Sequence, residues 1–258
     1  MNYLIFSDES GMWKAGDYYI RSWIRTSPID YELIRKDIVF IKHKMNLKEL
    51  KWNSIKNNAE KIRSNIESLF SIEFSLFITI SKPDHFKKRL ENNRYNILTT
   101  LKGIEPEQST GGEYFSAAIK EKIINAAQHT LFFNYFEKQH IENSKKAFVN
   151  DINNKLYKYI IDSPQCLDKD WEKIAEECGI VNLDIEKKSE KVSGIELADS
   201  IAGCINEHLN KDEKASEFYY GYIRKKMLDM ASPTLPNPNL IFYSDFSAEE
   251  KENTNIFR

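Results

Sequence analysis

Residues 2–11 have the sequence NYLIFSDESG, an apolar run that ends in two acids, a serine and a glycine. The run at 2–7 predicts a β-strand, and Gly11 predicts the turn that ends it. Residues 17–25, DYYIRSWIR, are aromatic and β-branched, so we expect a second strand that pairs back on the first. Asp8 therefore stands at the end of the first strand of a sheet.

The rest of the chain alternates between helical and strand patterns. Apolar residues at helical spacing predict helices, with Asp30 as the N-cap of the first, over residues 30–44, 59–70, 113–137, 152–162, 194–209 and 213–230. Alternating or β-branched runs predict further strands over residues 72–80, 145–151 and 182–188. The predicted fold class is α/β, a mixed sheet flanked by helices. We expect one domain over 1–231 with a helical insertion at about 82–143, and an extended tail over 232–258.

The composition is that of a globular protein. The chain has 258 residues, of which 41% are hydrophobic and 29% charged, and this excludes a disordered or fibrous chain. It has only 9 glycines and 7 prolines, too few for the many turns of a β-sandwich or β-barrel. Its net charge is −2, so nucleic acid is not attracted over the whole surface. A polyanionic partner would need a local basic patch or bound cations.

The sequence predicts a cytoplasmic protein with no membrane partner. The first residues lack the basic segment of a signal peptide, and no apolar run approaches the roughly 18 residues that suggest a membrane span. The three cysteines, Cys166, Cys178 and Cys204, form no CxxC pair, so we expect reduced thiols and neither a disulfide framework nor a zinc ribbon. The five histidines lack ligand spacing, and the expectation for each is a structural or solvated role.

Four carboxylates stand at positions that suggest chemistry. Asp8 and Asp151 each end a predicted strand, Asp199 lies on the apolar face of a predicted helix, and Glu49 follows the first helix. Residues at the carboxyl ends of adjacent strands meet at one edge of an open α/β sheet, where ligands bind. Acids gathered there repel one another unless a cation neutralises them. Carboxylate oxygens suit Mg²⁺ or Mn²⁺ better than zinc.

Each acid also has a structural interpretation. Asp8 can cap the turn that follows it, Asp151 can be the N-cap of the helix predicted after it, and Glu49 can be an ordinary surface residue. Asp199 is harder to explain in this way, because an acid in a row of Ile and Ala needs a partner or water. Glu9 points to the opposite side of the strand from Asp8, so the two acids do not serve the same site equally.

Four segments resemble the family known as domain of unknown function (DUF) 3800. Residues 5–11, IFSDESG, are similar to its opening strand, and 194–203, GIELADSIAG, are similar to its late helix. The family usually has Gln where this chain has Glu196. Between them, 49–51 resemble a Glu-x-Lys element, and 149–151, VND, resemble a central strand that ends in an acid.

This resemblance implies a ribonuclease H-like fold and a metal site. In such a fold, acids on the first strand, a helix, the central strand and a late helix gather divalent ions, and Asp8, Glu49, Asp151 and Asp199 are similar to that set. Two Mg²⁺ or Mn²⁺ ions held in this way can hydrolyse a phosphodiester. In this hypothesis Asp8 bridges the ions, Asp151 and Asp199 each hold one, and Glu49 completes the ligands or orients the water. Lys51 contacts the scissile phosphate or forms an ion pair with Glu49.

The predicted function is therefore a metal-dependent nuclease acting on DNA or RNA. Basic stretches at 85–89 and 224–226 are candidate backbone contacts, and the glycine pair at 111–112 marks a candidate lid. One alternative is a non-catalytic binding or partner protein of a bacterial defence or mobile-element system. Another is a metal-dependent phosphatase or nucleotidase, although the chain lacks a glycine-rich phosphate-binding loop.

Overall fold

A computed structural model provides the fold. It describes residues 3–11, 18–81, 83–104, 116–131, 137–148, 156–162, 168–186 and 189–227. Three predictions fall outside the described residues, namely Asp151, the candidate lid at 111–112 and the extended tail over 232–258.

The core of the structure is a mixed sheet with the strand order β3-β2-β1-β4-β5. The strands are β1 (Tyr3–Ser10), β2 (Tyr19–Thr26), β3 (Ser75–Ser81), β4 (Tyr157–Asp162) and β5 (Leu183–Glu186). The first three pair antiparallel in the order of the chain, whereas β4 and β5 run parallel to β1. The central strand is therefore β1, and its carboxyl end lies beside that of β4. The predicted α/β class, a mixed sheet flanked by helices, is confirmed.

Helices cover both faces of this sheet. They are α1 (Pro28–Met45), α2 (Trp52–Asn58), α3 (Arg63–Ser71), α4 (Pro83–Ile104), α5 (Ala117–Leu131), α6 (Lys138–Phe148), α7 (Asp168–Glu177), α8 (Ser193–Leu209) and α9 (Glu213–Phe218). A core on one face joins the sheet to α1, α2, α3, α8 and α9. A second core joins the opposite face to α6 and α7. We call these the α8 face and the α6 face.

Successive residues of β1 contribute to different cores. Ile5 is buried on the α6 face and Phe6 on the α8 face. Both faces are covered, which explains why the predicted strand is a nearly continuous apolar run rather than an alternating one.

The helix α8 lies very close to β1. A Cβ atom on Gly194 would stand only 2.3 Å from Cγ of Phe6, so a side chain at this position would collide with the ring. Farther along α8, the Ser22 hydroxyl of β2 donates a hydrogen bond to the carbonyl oxygen of Ala198 at 2.6 Å. These contacts fix the position of α8 on the sheet.

The start of α1 differs from the prediction. Its N-cap is Ser27 rather than Asp30, because the Ser27 hydroxyl accepts a hydrogen bond from the backbone N–H of Asp30 at 3.1 Å. Pro28 occupies the first turn, where its missing N–H costs nothing. Asp30 instead accepts a hydrogen bond from the Ser27 hydroxyl.

The predictions for 145–151 and 152–162 are wrong. The strand predicted over 145–151 overlaps helix α6, which ends at Phe148, and the helix predicted over 152–162 overlaps strand β4. A short apolar run cannot be distinguished from a buried helical segment by periodicity alone. The buried residues of α6 include His140 and Ser144. Because these residues are polar, the sequence does not show the apolar residues at helical spacing that would predict a helix.

Other elements differ mainly in their ends. Helix α5 lies within the helix predicted over 113–137, and α2 was not predicted. The helix expected over 213–230 is the short α9 followed by a π-helical turn, Tyr219–Ile223, and a 3₁₀ turn, Arg224–Lys226. Cys178 and Cys204 are buried free thiols, and Cys166 lies outside the described residues. Among the helices that the structure describes, none has both the length and the apolar character to cross a membrane.

Candidate functional site

Two acids meet where β1 and β4 end. Ser7 pairs with Ile161 in the parallel register of these strands, and the next residue in each chain segment is an aspartate, Asp8 or Asp162. Residues at the same level of neighbouring strands share a face of the sheet, and such strands lie about 4.8 Å apart. The two carboxylates therefore project side by side on the α8 face.

A third acid comes from α8. Asp8 lies directly opposite Ser22 in the antiparallel register of β1 and β2. Because the Ser22 hydroxyl binds the carbonyl oxygen of Ala198, the next residue of the helix, Asp199, is held above the end of β1. The predicted proximity of Asp8 and Asp199 follows from this one hydrogen bond and the helix that accepts it.

The segment 49–51 is attached to α8 on both sides of Asp199. The backbone N–H of Leu50 donates to Oε1 of Glu196 at 3.0 Å, and the Ser200 hydroxyl donates to the Leu50 carbonyl oxygen at 3.2 Å. The backbone N–H and carbonyl groups of this buried residue are thus both satisfied by side chains of α8. This arrangement places the two charged residues that flank Leu50 beside Asp199.

Glu196 has a structural role in the site. Its carboxylate is 1% exposed, and Lys42 of α1 lies 2.6 Å from it. Burial raises the pKa of Glu196, while Lys42 and the Leu50 N–H stabilise its charged form and oppose that rise. A glutamine here, as the DUF3800 resemblance leads us to expect, would still accept the Leu50 hydrogen bond but would lose the ion pair.

Asp8 is buried among like charges. It is 7% exposed, and its pKa is raised well above the usual value, first by burial and then by Glu9, Asp199 and Asp162. A hydrogen bond from the Glu9 backbone N–H to Oδ1 of Asp8, at 2.8 Å, opposes this rise. The environment of Asp8 therefore disfavours its anionic form in the absence of a cation.

Asp199 has a similar environment. Burial raises its pKa to about 6, with Glu49, Glu9 and Asp162 adding to the rise and Lys51 opposing it. A carboxyl group with this pKa changes charge near neutral pH.

Lys51 is the cation that faces these acids. Its Nζ lies 3.3 Å from Oε2 of Glu49. Partial burial lowers the pKa of Lys51, but the charges of Glu49, Asp199 and Asp8 outweigh that effect, and the pKa is raised. The lysine side chain is 57% exposed, so its amine can reach a bound molecule as well as Glu49.

The structure brings four of the five candidate residues together. Asp8, Glu49, Lys51 and Asp199 interact electrostatically at one edge of the sheet. The fifth, Asp151, lies outside the described residues. Sequence reasoning missed Asp162, which follows the aromatic and β-branched run YKYII, a strand signal that could have located it.

The donor set is one of hard oxygen atoms. Among the described residues, no three His, Cys, Asp or Glu side chains are placed so that they could hold one metal ion as they stand. The carboxylates of Asp8, Asp162 and Asp199 nevertheless share one edge, and each of the other two raises the pKa of Asp8. Excess negative charge and oxygen donors fit Mg²⁺ or Mn²⁺ rather than zinc.

Two residues of the basic stretch at 224–226 make contacts within the protein. The Arg224 guanidinium lies over the Tyr220 ring, and Lys226 donates to the Ile72 carbonyl oxygen at 2.6 Å. The stretch at 85–89 lies in α4, and its side chains are outside the part of the chain that the structure describes.

Comparisons with known proteins give structural likenesses only. No protein-family model matches the chain, and no curated protein matches it. Membership of the DUF3800 family therefore stays a prediction.

Two of the similar solved structures are ribonucleases H. One is the complex of PCNA with RNase HII from Archaeoglobus fulgidus, with 14% identity, a TM-score of 0.41, and coverage of 94% of this chain and 99% of the other. Another is Bst RNase HIII in complex with Mn²⁺, with 17% identity and a TM-score of 0.36. That match covers 81% of this chain and 55% of the other, so this chain spans about half of its length. The assignment of the fold rests on the strand order and register described above.

Proposed function

We propose that this protein is a divalent-metal-dependent nuclease that hydrolyses phosphodiester bonds of DNA or RNA. The observation that supports it is the convergence of Asp8, Asp162 and Asp199 at one edge of the sheet, where the charges of the other two raise the pKa of Asp8. Buried like charges disfavour the folded state unless a cation neutralises them.

The residues divide into metal ligands and groups that act on the substrate. Asp8, Asp162 and Asp199 would hold the metal. Divalent ions bound there would supply an activated water and stabilise the charge that develops on the phosphate. Glu49 completes the ligand set or orients the water, and Lys51 contacts a phosphate oxygen. Asp162 takes the part that the sequence analysis gave to Asp151.

The substrate and setting follow from charge and resemblance. A chain with a net charge of −2 has no general attraction for a polyanion, so cations at the acidic edge would create the local attraction. We infer a cytoplasmic location from the sequence. The bacterial defence or mobile-element setting, with a partner protein, belongs to the alternative of a non-catalytic protein.

A cleavage assay with single- and double-stranded DNA and RNA tests this proposal. We expect Mn²⁺-dependent cleavage that EDTA abolishes and that Asp8→Asn reduces to background while the protein remains folded. The matched control is Asp184→Asn, which removes an acid of β5 that pairs with Lys158 rather than with the site.

The outcome separates the proposal from its alternatives. Cleavage that persists in EDTA or in Asp8→Asn contradicts the metal mechanism. Release of phosphate from nucleotides without cleavage of polymers would indicate a phosphatase. If Mn²⁺ neither stabilises the protein nor supports cleavage, a non-catalytic binding or partner protein is left.

A further inference from the structure

A second charged cluster lies beneath the acidic edge, on the α6 face of the sheet. Arg21 is fully buried, and its Nη2 atom donates to Oε2 of Glu9, its partner across the β1–β2 ladder, at 2.7 Å. Nη1 donates to the Ser7 hydroxyl at 3.2 Å, and Nε lies 3.2 Å from Oε2 of Glu137. Tyr19 donates its hydroxyl proton to Oε1 of Glu137.

This cluster is a built feature rather than a surface ion pair. Both Arg21 and Glu137 are 0% exposed, and Glu137 directly precedes helix α6. The nearby His140 of α6 has a pKa lowered well below its usual value, by burial and by Arg21, so it is neutral. A buried guanidinium is stable only if its carboxylate partners remain in place.

The cluster connects to the candidate site through Glu9. The side chain of Glu9 points to the α6 face and pairs with Arg21, while its backbone N–H donates to Oδ1 of Asp8 at 2.8 Å. Arg21 also binds the Ser7 hydroxyl, so it holds the side chains of both residues that flank Asp8. Arg21 therefore fixes the strand end from which Asp8 projects, although it lies across the sheet from that carboxylate.

We propose that Arg21 is a positioning residue for the metal site: it holds Ser7 and Glu9 on the far face and thereby fixes the strand end that carries Asp8. It also ties the start of α6 to the strand end that carries Asp8. This inference rests on the proposed function only in calling the site a metal site. The mechanical link among Arg21, Glu9 and Asp8 stands on the contacts alone.

The chain offers a matched control in Arg25. It lies on the same strand and the same face as Arg21, four residues farther along. Its guanidinium donates to the Ser75 hydroxyl at 3.2 Å and lies over the Phe148 ring, whereas its cross-strand partner is Ile5. Arg25→Gln therefore removes a similar arginine without touching Glu9.

The test compares Arg21→Gln with Arg25→Gln by amide hydrogen exchange and by Mn²⁺ titration. Losing hydrogen bonds to a charged group should speed exchange of the Glu9 amide and of the first turn of α6 by about tenfold in Arg21→Gln. Arg25→Gln should leave these amides unchanged. Removing a partner of a ligand-bearing strand should weaken Mn²⁺ binding by about 10–100-fold in Arg21→Gln alone.

A second variant separates loss of the link to Glu9 from misfolding caused by an unpaired buried charge. Arg21→Gln leaves Glu137 buried without its cation, so the double variant Arg21→Gln/Glu137→Gln is measured as well. The double variant replaces both buried charged side chains with neutral glutamines. It still removes the ion pair between Arg21 and Glu9. If this folded double variant protects the Glu9 amide and binds Mn²⁺ like the wild type, the inference is overturned.

The two proposals fail in different ways. Wild-type protein that binds no Mn²⁺ overturns the proposed function, and the exchange of the Glu9 amide then decides the link from Arg21 to Asp8. Equal exchange in the two arginine variants contradicts that link whether or not Mn²⁺ binds.

Discussion

Adjacent residues of one strand, Asp8 and Glu9, meet opposite electrostatic environments on the two faces of the sheet. On the α6 face, Glu9 lies 2.7 Å from a fully buried arginine. On the α8 face, burial raises the pKa of Asp8, and the charges of Asp199 and Asp162 add to the rise. The strand period of two residues produces this difference, since it sends successive side chains to opposite faces. One face carries a buried arginine as its counter-ion, whereas the acids of the other face interact with a partly exposed lysine, Lys51.

The largest expected effect concerns stability on the two faces. Arg21→Ala leaves Glu9 and the buried Glu137 without their cation, and should lower the free energy of unfolding by about 3–5 kcal/mol. Asp8→Asn removes like-charge repulsion and should leave the stability equal or greater. Urea unfolding of both variants checks this contrast. A destabilised Asp8→Asn protein would show that Asp8 is a structural cap instead.

The second-largest expected effect tests whether Asp162 or Asp151 is the metal ligand that acts together with Asp8. We expect Asp162→Asn to lower Mn²⁺-dependent cleavage by at least about a hundredfold, because even the outer partners of metal ligands contribute 10–100-fold. Asp151→Asn should leave the rate within a few-fold of the wild type. Initial rates at saturating Mn²⁺ provide the measurement, and the reverse ranking would return the central ligand to Asp151.

Asp199 gives the acidic face a characteristic pH dependence. Its pKa is about 6 in the folded protein, higher than the usual 3.8, so folding favours the protonated form. The contribution of Asp199 to the free energy of unfolding is full below about pH 4. It falls by on the order of 2–3 kcal/mol as the pH rises through 6.

Asparagine cannot ionise and should not show this loss. The stability of Asp199→Asn relative to the wild type should therefore increase between pH 4 and pH 8 in metal-free buffer. Parallel urea titrations at several pH values measure the difference. A difference that stays constant with pH would mean that Asp199 already has a satisfactory partner.

The smallest effect concerns the support of the site. Glu196→Gln keeps the acceptor for the Leu50 N–H and loses the ion pair with Lys42, which is 17% exposed and can reach water. We expect a loss of about 1 kcal/mol or less and nearly unchanged cleavage. Glu196→Leu, which removes the acceptor too, is the matched comparison. Abolished cleavage in Glu196→Gln would place this carboxylate in the chemistry.

Local patterns in the sequence were enough to predict most of the fold. The apolar run before Asp8, the aromatic run of β2 and the apolar stripe of α8 each indicate their element without reference to the rest of the chain. The error over 145–162 arose because α6 buries His140 and Ser144, which resemble exposed polar residues in the sequence. Their partners, such as Ser81 for His140, are distant in the chain.

The candidate site was predictable to the extent that its acids stand at recognisable ends of elements. Asp8 satisfies that condition, and Glu49 follows the first helix. Asp199 stood out because it lies on the apolar face of a predicted helix, and the family resemblance added Lys51. Arg21 gave no such signal, because an arginine in an alternating strand is usually a solvent-facing residue. Its ion-pair partners are Glu9, across the strand pair, and Glu137, which is more than a hundred residues away in the sequence.

The attachment of Leu50 to α8 has a consequence for the order of assembly during synthesis. The strands β1, β2 and β3 can pair as soon as they leave the ribosome, because they are successive antiparallel neighbours. Asp199 and the side chains that anchor Leu50 emerge only with α8, near the end of the described chain. A nascent chain can therefore pair β1, β2 and β3 before Asp8 and Asp199 come together. The electrostatic repulsion at the site arises when α8 packs on the sheet.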